Sequence, residues 1–165
     1  MASSWQFGWD DDFLYVAITV EDDIHIQERS GNIVWRDDSV QIYLDLNGDF
    51  NSGLQEDDLH FTFVPGNFGS KPPYSHIFFG TDISRGQAGD FVEIGSQQTS
   101  NGYTIELAIP WNRIGGRPEE TAVMALSFTV EDTDRSGANQ LEAVYANVAG
   151  QVYDNPNTWV TFGLR

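Results

Sequence analysis

Five stretches of this chain alternate apolar and other residues with a period of two. Leu14, Val16, Ile18 and Val20 point one way, and Val40, Ile42 and Leu44 oppose Ser39, Gln41 and Tyr43. Leu59, Phe61 and Phe63 oppose His60 and Thr62, and Tyr103, Ile105, Leu107 and Ile109 oppose Thr104, Glu106 and Ala108. Ala122, Met124, Leu126, Phe128 and Val130 complete the set. Successive side chains of a strand point to opposite faces, so each stretch reads as a half-buried antiparallel strand. Asn47-Gly48, Ser52-Gly53, Pro65-Gly66, Asn101-Gly102, Gly115-Gly116 and Ser136-Gly137 separate the strands with turn chemistry. No long segment carries a helical stripe; the nearest is a short turn at Pro110-Trp111-Asn112-Arg113-Ile114. The expectation is an all-β, antiparallel two-sheet β-sandwich, jelly-roll or immunoglobulin-like, of about eight to eleven strands.

At 165 residues the chain has the size of one domain and can bury a core without staples. It has no cysteine, so disulfides and thiolate metal sites are excluded. No apolar run reaches the ~20 residues that span a bilayer. Met1-Ala2-Ser3-Ser4 lacks the basic and apolar regions of a signal peptide and reads as an expression-derived start, with a single domain expected over 5–165. The 25 acidic residues outnumber the 8 Lys and Arg, a net charge of −17. Such a surface repels nucleic acid and anionic membranes and suits neutral ligands and cations, while also serving plain solubility. Aromatics make up 13% of the chain, with five Trp, too many for an acidic disordered segment.

Three motifs together resemble the family 9 carbohydrate-binding modules and their DOMON-like relatives. They are Trp9-Asp10-Asp11-Asp12-Phe13-Leu14-Tyr15-Val16-Ala17 with Glu21-Asp22-Asp23, Trp35-Arg36-Asp37-Asp38-Ser39-Val40-Gln41-Ile42-Tyr43-Leu44-Asp45, and Gly102-Tyr103-Thr104-Ile105-Glu106-Leu107-Ala108-Ile109-Pro110-Trp111. The resemblance covers residues 5–165. It implies a β-sandwich, structural Ca²⁺ and a slot in which two aromatic rings hold a sugar. It also implies attachment to a secreted glycoside hydrolase such as a xylanase. Two departures stand out. The family's Ile-Asp-Gly opening is absent before Ser4, and His60 and Thr62 stand where many members carry a Gln and a long basic residue.

A sugar presents an apolar C–H face and a polar rim, so its site needs an exposed ring beside hydrogen-bonding side chains. Trp35, at the start of a strand, matches the first sandwiching Trp by resemblance; the alternative is a rim residue covering the sandwich end. The second ring is expected from the C-terminal loop, where Tyr153 and Trp159 are the candidates. Trp159 also fits the core of the last strand. Gln41, His60, Asn67 and Arg36 are the candidate polar partners, with a solvent-facing His60 as the alternative. Trp5, Trp9 and Trp111 read as structural.

Asp45, Asn47, Asp49 and Asn51 place oxygen donors at every second position, and Glu56 stands twelfth counting from Asp45. That is the ligand spacing of an EF-hand loop, here without flanking helices and with Phe50 in place of the usual Gly. By resemblance, Asp57 and Asp58 help hold the ion. An acidic hairpin loop is the alternative.

No hydrolase elbow, zincin motif or phosphate loop is present, and the three His show no metal-ligand spacing. Taken with the resemblance, the chain reads as a non-catalytic, secreted, monomeric binder of plant polysaccharide or oligosaccharide, xylan- or cellulose-type by family analogy. The alternatives are a calcium-stabilised protein-interaction or adhesion sandwich, and a haem-binding DOMON-like domain, which needs an axial Met and His or two His; Met124 reads as core, and His60 or His76 could ligate with no pairing evident.

Overall fold

Eleven strands and three short 3-10 turns make up the described chain. The structure is a computed structural model that describes residues 1–80, 86–87 as backbone, 91–137, 141, 143–149 and 152–164. In chain order the strands are β1 (Ala2–Trp9), β2 (Phe13–Glu21), β3 (Ser39–Asp45), β4 (Asp58–Val64), β5 (Tyr74–Phe79) and β6 (Gly86–Gln87). They continue with β7 (Glu93–Thr99), β8 (Gly102–Pro110), β9 (Met124–Asp132), β10 (Ala143–Ala146) and β11 (Val160–Phe162). One sheet runs β1-β2-β8-β7; the other runs β10-β9-β3-β4-β5-β6, with β11 also paired to β9. Every pairing is antiparallel. Ala2, Ser3 and Ser4, set apart by their sequence, pair with Glu21, Val20 and Thr19 as the first rungs of β1.

The two sheets close on the apolar faces that alternation marks. Leu14, Val16, Ile18 and Val20 of β2 and Tyr103, Ile105, Leu107 and Ile109 of β8 meet Val40, Ile42, Leu44, Leu59, Phe61, Phe63, Met124 and Val130 from the facing sheet. Trp5 stacks on Phe128 with ring centroids 4.1 Å apart, closing the β1 edge. Trp111 is buried, and its indole N–H donates to the Asp10 carbonyl. Five of the six turn pairs hold a glycine at positive φ, at Gly48, Gly66, Gly102, Gly115–Gly116 and Gly137.

One expectation needs correction. β3 is buried at every position, not half-buried. Its outer residue Tyr43 packs with Ala125, Val152 and Trp159, because the C-terminal segment folds back over this sheet. The polar side of the alternation is therefore no solvated face but the base of a depression.

Candidate functional site

Register brings the polar residues of that depression together. Gln41 pairs with Thr129 on β9 and Thr62 on β4, and Tyr43 pairs with Ser127 and His60. Trp35 arrives from the 3-10 helix Gly31–Arg36, and Tyr153 from the C-terminal segment. Together they line a cavity of about 650 Å³ with Gln41, Tyr43, His60, Phe78, Thr129 and Glu131. Leu141, Val144, Ala146 and Val152 add apolar wall.

The base of the cavity is a continuous hydrogen-bond chain across three strands. Gln41 donates its amide N–H to Glu131 Oε1 at 2.6 Å, and Thr129 Oγ1 donates to the same oxygen at 2.6 Å. Gln41 Oε1 then accepts from His60 Nε2 at 2.5 Å and from Thr62 Oγ1 at 3.2 Å. Burial holds His60 neutral, lowering its pKa to about 3, with His76 nearby opposing charge as well. Burial raises the Glu131 carboxyl to about 7 against the hydrogen bonds from Thr129, Gln41 and Ser39. Aromatic rings pave the rest: His60 stacks on Tyr43 at 4.4 Å and lies 5.0 Å from Phe78.

The expected site residues divide. Trp35, Gln41, His60 and Tyr153 share the cavity. Trp159 is only 4% exposed; its ring lies 5.8 Å from Tyr43 and its N–H donates to the Val152 carbonyl. It supports the wall from behind. Arg36 lies against the Trp35 ring, 5.0 Å from the centroid, rather than on the base. Asn67 is not brought to the cavity: in the loop after β4 its Oδ1 accepts from the Gly69 and Lys71 N–H groups. Glu131, Thr129, Tyr43 and Phe78 were not expected. Their outward parity on β9, β3 and β5 was the available signal.

The acidic loop is rearranged relative to its EF-hand reading. Asn47, Asp49 and Asn51 are exposed, and Asn47 and Asp49 accept from N–H groups two residues on, as ordinary turn residues do. Glu56 is also exposed. The carboxylates that converge are Asp45, Asp57 and Asp58, with oxygens within 4.8 Å of one another. Asp45 and Asp58 stand directly opposite on β3 and β4, and like charges in that position destabilise a sheet. Burial first, then repulsion from Asp45 and Asp57, raises Asp58 to about 7. Asp57 Oδ2 and Asp58 Oδ1 are buried without a hydrogen-bond partner. Phe50, in the glycine position of the loop, adopts the left-handed φ of 53°. A hard divalent cation is the group this donor set fits.

A Met–His pair for haem is not assembled. Met124 belongs to the sandwich core, while His60 and His76 lie on the outer row of their strands, beside Tyr43 and Thr62. Among the described residues, no helix is long and apolar enough to cross a membrane.

The profile of the "carbohydrate family 9 binding domain-like" family matches residues 1–165. This chain belongs to that family. As a family 9 domain it is similar to endo-1,4-beta-xylanase A of Thermotoga neapolitana, 29% identical over 129 residues, covering 78% of this chain and 11% of that protein. Exoglucanase XynX of Acetivibrio thermocellus is likewise 29% identical, over 78% of this chain and 10% of its own. The chain thus spans about a tenth of these relatives' length. The fold matches a family 9 module from Caldicellulosiruptor kristjanssonii solved in complex with cellotriose: TM-score 0.77, 24% identity, 99% of this chain and 74% of that one.

Proposed function

We propose that this family 9 domain is a non-catalytic module that binds plant polysaccharide or its oligosaccharides, of cellulose or xylan type, in the cavity on the outer face of β3, β4 and β9. The single observation that carries the reading is the composition of that cavity. Two aromatic residues from distant parts of the chain, Trp35 and Tyr153, line it over a base of fixed hydrogen-bonding groups. Rings take the apolar faces of a pyranose, and the amide and carboxyl take its hydroxyls. The relatives' names support the ligand class, and their attachment to xylanases supports a secreted module carried by a glycoside hydrolase. Calcium at Asp45, Asp57 and Asp58 neutralises the opposed carboxylates and fixes the loop between β3 and β4; its part is structural.

Affinity should be modest, about micromolar to millimolar, because an open slot on one face buries little of a polymer. Calorimetric titration with cellotriose and xylotriose tests the reading. Binding by the wild type, weakened about tenfold or more in Trp35→Ala with the fold intact by circular dichroism, is the expected result. A folded, calcium-loaded wild type that binds no glycan on an array overturns it.

A further inference from the structure

We propose that Glu131 is the specificity-determining residue of the slot, making it take neutral sugar residues and reject uronic-acid residues. This rests on the reading of the cavity as a sugar site.

Glu131 is 2% exposed yet lines the cavity. A carboxylate has about four lone-pair positions. Gln41, Thr129 and Ser39 donate to it, Ser39 Oγ only at 3.5 Å, and the Glu131 backbone N–H supplies a fourth hydrogen bond. Glu131 also fixes Gln41. With its amide N–H on the carboxyl, the Gln41 oxygen must face His60 and Thr62, both of which donate to it. That oxygen is saturated, and the second N–H of Gln41 remains as a donor. The base therefore offers a Gln41 donor beside a buried carboxyl, and a neutral sugar hydroxyl accepts from Gln41 without bringing charge against Glu131.

A sugar carboxylate accepts only. It would face the buried Glu131 carboxylate charge to charge. Among the described residues, no Lys or Arg lines the cavity to compensate. Arg36 lies on the Trp35 ring, Arg29 is paired with Asp37, and Lys71 donates to the Glu28 carbonyl. The titratable groups around Glu131 supply no cation either. They are Tyr43 on β3, His60 held neutral on β4, His76 on β5 with its pKa lowered by burial, Tyr153, and Tyr103 across the sandwich on β8. The remaining neighbours in sequence and strand are acids, Asp132 and Asp38, and add to the negative field. Burial raises the Glu131 carboxyl to about 7, so the repulsion is present above that pH and fades below it.

The test compares cellotriose with its analogue oxidised to a uronic acid at one terminal residue, by calorimetry, from about pH 5.5 to about pH 8.5. The sugar acid stays ionised throughout; Asp132 and Asp58 also titrate in this range but do not line the cavity, and Glu131→Gln separates their effect from that of Glu131. The wild type should prefer the neutral trisaccharide by about 30-fold at the upper pH, falling to under about 5-fold at the lower. In Glu131→Gln, which keeps the shape and loses the charge, the preference should be under about 5-fold at every pH. Equal binding of both sugars by the wild type, a preference that does not change with pH, or a Glu131→Gln preference equal to that of the wild type overturns the proposal. The wild-type pH series needs no variant and decides the matter if Glu131→Gln does not fold. Failure of the wild type to bind the neutral sugar at all overturns the sugar-site reading itself, and this proposal with it.

Discussion

Tyr153 and Trp159 come from one short loop and do different work, because burial separates them: 56% and 4% exposed. Trp159 fills the second core cluster under Tyr43, so Trp159→Ala should leave a large void and cost about 3–5 kcal/mol. A fall in Tm by differential scanning calorimetry checks this. Tyr153→Ala should leave Tm within about 1 °C and weaken oligosaccharide binding about 5- to 30-fold, the scale of one aromatic contact. Strand parity alone places Gln41 and His60 on the slot side in the sequence. It does not separate Tyr153 from Trp159, since their exposure is set by the C-terminal segment folding over Tyr43, a contact between residues far apart in the chain. Glu131 was illegible for a related reason. In a chain with 25 acids, an outward-facing Glu reads as solvated, and its burial against Ser39, Gln41 and Thr129 is what marks it.

Between strands, connections are held by specific local devices. His25 joins the β2–β3 connection to the end of β4: its Nε2 donates to the Gly66 carbonyl at 2.7 Å, and Nδ1 lies 3.3 Å from Asp38 and 3.7 Å from Asp22. Burial resists the charge, but the two carboxylates and the carbonyl outweigh it and raise the pKa to about 9. The unfolded chain binds the same proton at about 6.5, so this stabilisation is complete below that pH and is lost as pH rises through about 9. The Tm advantage of wild type over His25→Gln should therefore be large at about pH 6 and vanish near pH 10; an advantage constant across that range would refute the linkage. Turn glycines make a second element-level test. Gly31 and Gly48 share a φ of 67°, but a Cβ at Gly31 meets nothing within 4 Å while one at Gly48 stands 1.8 Å from the Val123 carbonyl oxygen. Gly31→Ala should cost about 1 kcal/mol and Gly48→Ala well over 2 kcal/mol by urea unfolding. The turn was readable from Asn47-Gly48; the close approach of Val123 was not, because it is made by the segment leading into β9, far along the chain.

At the scale of the whole molecule, a net charge of −17 is carried by a fold that opposes buried carboxylates at Asp45 and Asp58. Two different remedies exist for negative charge, and they predict different behaviour. Diffuse repulsion among surface acids is screened by any salt, over a distance of about 8 Å at 0.15 M. The cluster of Asp45, Asp57 and Asp58 is buried at Asp45 and Asp58, where screening is weak and a coordinated divalent ion is the effective remedy. Calcium at about 100 times its dissociation constant should stabilise the folded state by about 2.7 kcal/mol, and EDTA should remove that increment. Sodium chloride at matched ionic strength should raise Tm by a smaller amount, the same with or without EDTA. Asp58→Asn should abolish the calcium increment and keep the sodium one, while relieving the repulsion enough that the metal-free variant melts above the metal-free wild type. Thermal melts of the two proteins in calcium, EDTA and matched sodium chloride separate the cases. Calcium and sodium increments of equal size in the wild type would assign the acidic loop to surface charge alone, and the shape of the β3–β4 connection would then rest on the turn hydrogen bonds from Gly48 and Phe50 to Asp45.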